Sequence, residues 1–212
     1  MNMNKAIIGE SDFKRVRQAG AYYVDKSLFV EEVLTSPYKI MLLTRPRRFG
    51  KTLNLSLLHH FFEKRNPDES NLFEKLAISS SDVYNDHLSK YPVIYLTFKD
   101  IKDESFDIAV HRIGVLIHEV LEKHRYLLQW ENLSSLASKL FDKVLNQKAE
   151  PRDLMDSIRV LSDQLHQYHD QAVIILIDEY DTPIHSAYTN GYYQRMIGFL
   201  RNLLSGAFKD NA

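Results

Sequence analysis

The sequence contains no cysteine, which removes disulfides, cysteine-ligated zinc and thiol catalysis from consideration. Charge of either sign is scarcely in excess: 27 Lys and Arg against 28 Asp and Glu give a net charge of −1. No global field therefore draws the chain to nucleic acid or to a membrane surface. Long hydrophobic runs are missing as well. The opening residues, MNMNKAIIGESDFK, hold no apolar stretch of signal-peptide length, and no later segment reaches the roughly 20 apolar residues of a membrane helix. There are no internal repeats and no low-complexity tracts. These gaps lead to the expectation of a cytoplasmic protein from a reducing compartment, with no membrane partner. At 212 residues it is long enough to bury a sizeable core.

What is present centres on residues 40–53, IMLLTRPRRFGKTL. Four apolar residues, Ile40, Met41, Leu42 and Leu43, read as a short buried strand. A basic turn follows, Arg45, Pro46, Arg47, Arg48 and Phe49, and then Gly50, Lys51 and Thr52. Leu53, Leu57, Leu58, Phe61 and Phe62 then recur at helical spacing. Strand, Gly-Lys-Thr turn and helix are the setting of a phosphate-binding loop. Backbone N–H groups aimed inward at a helix N-terminus form a concave anion site. Residues 45–52 are thus the candidate nucleotide-binding loop. Lys51 would place a charge on the β- and γ-phosphates of ATP, Thr52 would ligate Mg²⁺, and Gly50 would let the backbone pass close to the phosphates. The pattern GxxxxGKS/T asks for glycine at position 45, where this chain has Arg45. On its own the turn also fits a basic surface loop.

A second signal lies at residues 172–181, AVIILIDEYD. Six continuous apolar residues read as a fully buried parallel strand with acids at its C-terminal tip, the place where open α/β sheets bind ligands. Asp178 is the candidate second Mg²⁺ anchor, and Glu179 the candidate group that orients or deprotonates the attacking water. The plainer alternative is a solvated loop that starts with two acids.

Around these, Asp25 reads as the N-cap of a helix carrying Leu28, Phe29, Val33 and Leu34, while Tyr22, Tyr23 and Lys26 are candidates to line a base pocket beside the loop. Residues 66–91 read as a loop-rich connection, and 92–98 as a second buried strand. Asp100 at its tip reads as part of a solvated turn. Three amphipathic helices follow: one over 105–128, one through Leu133, Leu140 and Leu145, and one starting near Pro151. His166 and His169, near the end of the third, form a weak candidate metal pair with no third ligand in view. Trp130 reads as a packing residue. Pro183 and Gly191 frame a polar loop before a last helix over 192–208, which carries Arg195 and Arg201.

Four ordered segments bear a resemblance: 22–27 (YYVDKS), 43–52 (LTRPRRFGKT), 91–94 (YPVI) and 176–183 (LIDEYDTP). Together they resemble the AAA-ATPase-like family of bacterial P-loop proteins, across nearly the whole chain. Within that family, the resemblance implies, an arginine at position 45 is usual. It further implies a three-layer P-loop NTPase sandwich with a mostly parallel sheet, as one domain over 1–212, with ATP and Mg²⁺ as cofactors. A nuclease-like domain often follows in the family, so nucleic acid would enter only through such a domain. ATPases of this class order their strands 5-1-4-3-2, and no strand-like segment follows 172–177 here. The sheet is therefore expected to be incomplete at its C-terminal end, with self-association, a partner chain or a rearranged sheet satisfying its edges.

Two functions compete at this point. One is Mg²⁺-dependent NTP hydrolysis coupled to movement of an attached or partner module. The other is a nucleotide-binding or protein-interaction module without turnover. A small-molecule kinase is a weaker third, since the adjacent acids favour water as acceptor.

Overall fold

Apolar residues spaced three and four apart make most of this chain helical, and side-chain caps mark where several of the helices start. A computed structural model describes residue 7, residues 9–44, residue 46, residues 48–64 and residues 67–209, without the side chains of 67, 68, 207 and 209. The chain packs into two units, Met1–Val93 and Ile94–Ala212.

In the first unit, α1 (Phe13–Gln18) and α2 (Phe29–Thr35) pack on α3 (Lys51–Phe62). Asp12 caps α1 by accepting the Arg15 N–H at 2.9 Å. Two 3-10 turns, Pro67–Phe73 and Ala77–Ser80, and the short α4 (Val83–His87) complete it. Its centre is aromatic: the rings of Phe13, Phe61, Phe62 and Phe73 are wholly buried, with Phe73 5.2 Å from Phe13 and edge-on to Phe61 at 5.3 Å. The end of α3 is tied to the chain before β1 by a parallel bridge, in which Lys64 N–H donates to the Tyr91 carbonyl at 2.8 Å.

The second unit holds the sheet. Strands β1 (Val93–Thr97) and β2 (Ile174–Asp178) form a small two-stranded parallel sheet. They are joined by α5 (Phe106–Lys123), a 3-10 turn (Arg125–Gln129), α6 (Ser135–Leu145) and α7 (Pro151–His169). Ser105 and Ser134 cap α5 and α6, and α7 opens with a capping box between Glu150 and Asp153 that spans Pro151 in its first turn. After β2 come α8 (Thr182–Thr189) and α9 (Tyr193–Lys209), the latter packed along α7. One core runs from Ile94 and Leu96 through Ile113, Phe141, Leu161 and Phe199. Where α5 crosses α7, Gly114 allows close approach: a Cβ there would stand 3.3 Å from Leu154 Cδ1. No helix among the described residues is long and apolar enough to cross a membrane.

Several expectations are corrected. Residues 40–43 are not a buried strand: they run without a ladder, with Ile40 56 % and Leu42 64 % exposed. A strand needs a neighbour for its N–H and C=O groups, and among the described residues none pairs with this run. The sheet that does form joins 93–97 to 174–178. With only two strands to shield it, β2 is half-buried at Ile174, Ile175 and Ile177 instead of fully buried. The three-layer sandwich is thus seen here only as an α/β arrangement with a small parallel sheet. Residues 182–189 are helical and not a polar loop, because Pro183 sits in the first turn, where its missing N–H costs nothing. Asp25 does not cap α2, which has Leu28 at its N-cap. Its carboxylate accepts the N–H groups of Ser27 at 2.8 Å and Ala77 at 2.7 Å. Trp130 packs edge-on against Tyr168 at 5.5 Å, as a packing residue should.

A charged cluster clamps α1 and the 67–73 turn to α3. Glu69 accepts from Lys14 at 2.6 Å and faces His60 Nδ1 at 2.5 Å. Burial holds His60 below its ordinary 6.5 despite Glu69. Burial works to raise Glu69, but its bonds to Lys14 and His60 prevail and leave it below 4.5. Asp25 likewise sits below 3.8, its bonds to Ser27 and Ala77 overcoming burial. In each case the unfolded chain takes up the proton first, so these groups stabilise the fold at neutral pH and cease to as pH falls. The midpoint of thermal unfolding is expected to drop as pH goes from about 7 to about 5, a range in which His60 dominates. In His60→Gln that slope should flatten, measured by circular dichroism; an unchanged slope would remove His60 as its source.

Candidate functional site

The candidate loop leads into α3, whose first residue is Lys51. Arg45 and Arg47 lie outside the described residues. Pro46, Arg48 and Phe49 are exposed, and Lys51 and Thr52 are half-buried. Gly50 is the N-cap, left-handed at φ 78° and ψ 22°, a conformation that suits a residue without Cβ. Arg48 is also left-handed, at φ 68°. Alternation of this kind turns successive amides toward one side of the chain. No side chain caps α3. Its first-turn N–H groups and the positive end of its dipole therefore face the loop, as an anion site requires.

Beside this turn lies a cavity of about 400 Å³, within the size range of small-molecule sites. It is lined by Tyr22, Tyr23 and Lys26 on one side of the sequence and by Arg48, Phe49 and Gly50 on the other. The three residues that the sequence placed beside the loop are thus found there. Burial, with a smaller contribution from Asp25, pushes the Tyr23 phenol up to about 12, so it keeps its proton at neutral pH. Glu10, Leu53 and Asn54 also line the cavity. Asn54 was legible in principle, since it lies one helical turn after Lys51 on α3. For Glu10 the sequence holds no comparable signal.

The acids belong to the second unit. Asp178 ends β2 and is 3 % exposed, and its carbonyl accepts the Phe98 N–H at 3.0 Å. Glu179 follows in a left-handed conformation, φ 50°, which is strained for a residue with a Cβ. Its exposed carboxylate accepts the Thr182 hydroxyl at 3.2 Å, and its carbonyl accepts the Thr182 N–H at 3.0 Å, which starts α8. Asp100 is an exposed turn residue. His166 meets the Gln171 carbonyl at 2.9 Å and His169 meets the Tyr126 hydroxyl at 2.7 Å. Arg195 pairs with Asp107 at 3.2 Å and lies over the Phe106 ring. Among the described residues no three His, Asp or Glu side chains cluster as a metal site. Mg²⁺ bound with a nucleotide needs no such cluster, because it takes few protein ligands beside phosphate and water. Thr52 on the first turn of α3 carries a hydroxyl, and Asp178 at the end of β2 a buried carboxylate; each by itself is a hard oxygen donor of the kind Mg²⁺ takes.

No solved structure is a match for this chain. A protein of Azotobacter chroococcum mcd 1, described as the uncharacterized protein in the vnfD 5′ region, is 27 % identical over 207 residues. That alignment takes in 97 % of this chain and 34 % of the relative, so the chain spans about a third of the relative's length. The family model described as "Predicted AAA-ATPase" matches residues 7–212, and the chain belongs to that AAA-ATPase-like family.

Proposed function

We propose that this chain is an ATP-binding P-loop domain of the three-layer class that hydrolyses the nucleotide with Mg²⁺. The observation that carries the reading is the cavity at the uncapped N-terminus of α3, where Gly50 is left-handed and Lys26 and Arg48 join the lining. Family membership supports nucleotide binding in general. In this reading residues 45–50 wrap the phosphates, with Lys51 on the β- and γ-phosphates. Thr52 and Asp178 would hold Mg²⁺, which would supply neutralising charge at the phosphate oxygens. Glu179 orients a water toward the γ-phosphorus and takes its proton. The water oxygen would bond to the γ-phosphorus as the bond from phosphorus to the bridging oxygen breaks, leaving ADP and inorganic phosphate. Hydrolysis would drive movement of an attached or partner module.

A second reading, binding without turnover, draws on the Glu179 carboxylate. It is already engaged with Thr182 at the start of α8, as a plain helix-start residue would be. Single-turnover hydrolysis beside a binding titration separates the two.

Mg²⁺-ATP at about 100 times its dissociation constant should add about 2.7 kcal/mol of stability. Lys51→Ala should abolish that gain in thermal unfolding, and Glu179→Gln should stop phosphate release while leaving binding intact. Absence of any stabilisation by ATP or GTP would sink the nucleotide reading. Gly50→Ala forces a Cβ into the left-handed region and should cost about 1–2 kcal/mol in urea unfolding. It should also weaken nucleotide binding. A neutral result would mean that the turn relaxes into another conformation.

A further inference from the structure

Lys26 is held in place by its neighbours, while its own side chain is left for another purpose. Asp25 before it is bonded to Ser27 N–H and Ala77 N–H. Ser27 after it is wholly buried, and its hydroxyl accepts the Ile78 N–H at 3.1 Å. Tyr23 packs edge-on against Phe13 at 5.5 Å, and its hydroxyl oxygen receives the Lys26 N–H at 3.4 Å. All of these contacts fix the backbone at Lys26, and none uses its ammonium group. That group extends over the loop: Nζ lies 3.7 Å from where a Cβ on Gly50 would stand. Among the described residues no carboxylate is ion-paired with it. The carboxylate in the cavity lining, Glu10, accepts the N–H groups of Ser11 and Asp12, each at 2.9 Å. Arg48 lines the same cavity. Two cations at a turn holding left-handed residues, ahead of an uncapped helix, share a lining whose described residues include a single carboxylate, Glu10, and a polyphosphate would supply the further negative charge.

We propose that Lys26 is a second phosphate-contacting cation of this site, delivered from the N-terminal segment, and that it favours tri- and diphosphates over monophosphates. The proposal rests on the nucleotide reading of the loop. An ammonium binds phosphate as a mobile point charge, so its contribution should scale with phosphate charge and leave base and ribose contacts alone.

The test is calorimetric titration with Mg²⁺-ATP, Mg²⁺-ADP and AMP of the wild type, Lys26→Gln, Lys26→Arg and Lys51→Ala. Unfolding curves without nucleotide establish that each variant folds. Lys26→Gln should weaken ATP binding about tenfold or more, weaken AMP clearly less, and reduce the salt dependence of ATP binding. Lys26→Arg should restore most of the affinity. If Lys26→Gln binds ATP like the wild type while Lys51→Ala does not, the role of Lys26 is overturned and the nucleotide reading stands. Equal loss for ATP and AMP also overturns it, since Lys26 would then only shape the cavity. A wild type that binds neither ATP nor GTP removes the nucleotide reading and this inference with it.

Discussion

Helix α3 is anchored at one end and open at the other, and the first unit is arranged around that contrast. From Ser56 onward nearly every residue is buried, with Leu57, Phe61 and Phe62 wholly so. The first turn, from Lys51 to Asn54, is only half-buried. Burying the apolar C-terminal half fixes the axis of the helix, since side chains of this size each contribute about 1.5–3 kcal/mol. The unsatisfied N–H groups of the first turn then point in a fixed direction, with no side chain to cap them. An anion site of this type depends on a helix that cannot shift when charge arrives.

The N-terminal segment is subject to the same anchoring. Phe13 N–H donates to Ser56 Oγ at 2.9 Å, and Phe13 packs into the aromatic centre beside Phe73. The Lys14, Glu69 and His60 cluster adds charge-assisted bonds at the same junction. Residues 22–27 are thereby carried to the edge of the loop, where Tyr22, Tyr23 and Lys26 line the cavity with Arg48 and Phe49. The second unit meets its own requirement with a larger helical core. There a small parallel sheet is covered through α5, α6, α7 and α9, and the buried Asp178 ends a strand whose hydrogen bonds hold it in register.

Much of this was legible residue by residue. The helix after Gly50, the strand within 92–98, and the helices within 105–128, through Leu133 to Leu145 and from near Pro151 follow from apolar spacing, although the first of those three ends at Lys123 and gives way to a 3-10 turn at Arg125–Gln129. Tyr22, Tyr23 and Lys26, read as candidates to line a base pocket beside the loop, do line a cavity there. Residues 40–43 were not legible in this way. An apolar run states what a chain would gain by burial, yet a strand also needs a hydrogen-bonding neighbour, which no local pattern supplies. Helix α8 was misread because Pro183 serves equally as a loop marker and as a first-turn residue.

The sequence by itself determined the local parts: the Gly-Lys-Thr turn, the acids at the end of an apolar run, and the helical periodicity. Each of these is set by interactions within a few residues of one another. Only tertiary structure decided that Asp25 reaches across to Ala77, that Glu10 enters the cavity lining, and that 93–97 pairs with 174–178. Those outcomes depend on contacts between segments some 40 to 80 residues apart. Such contacts form only once the cores have closed, and no short window of sequence encodes them.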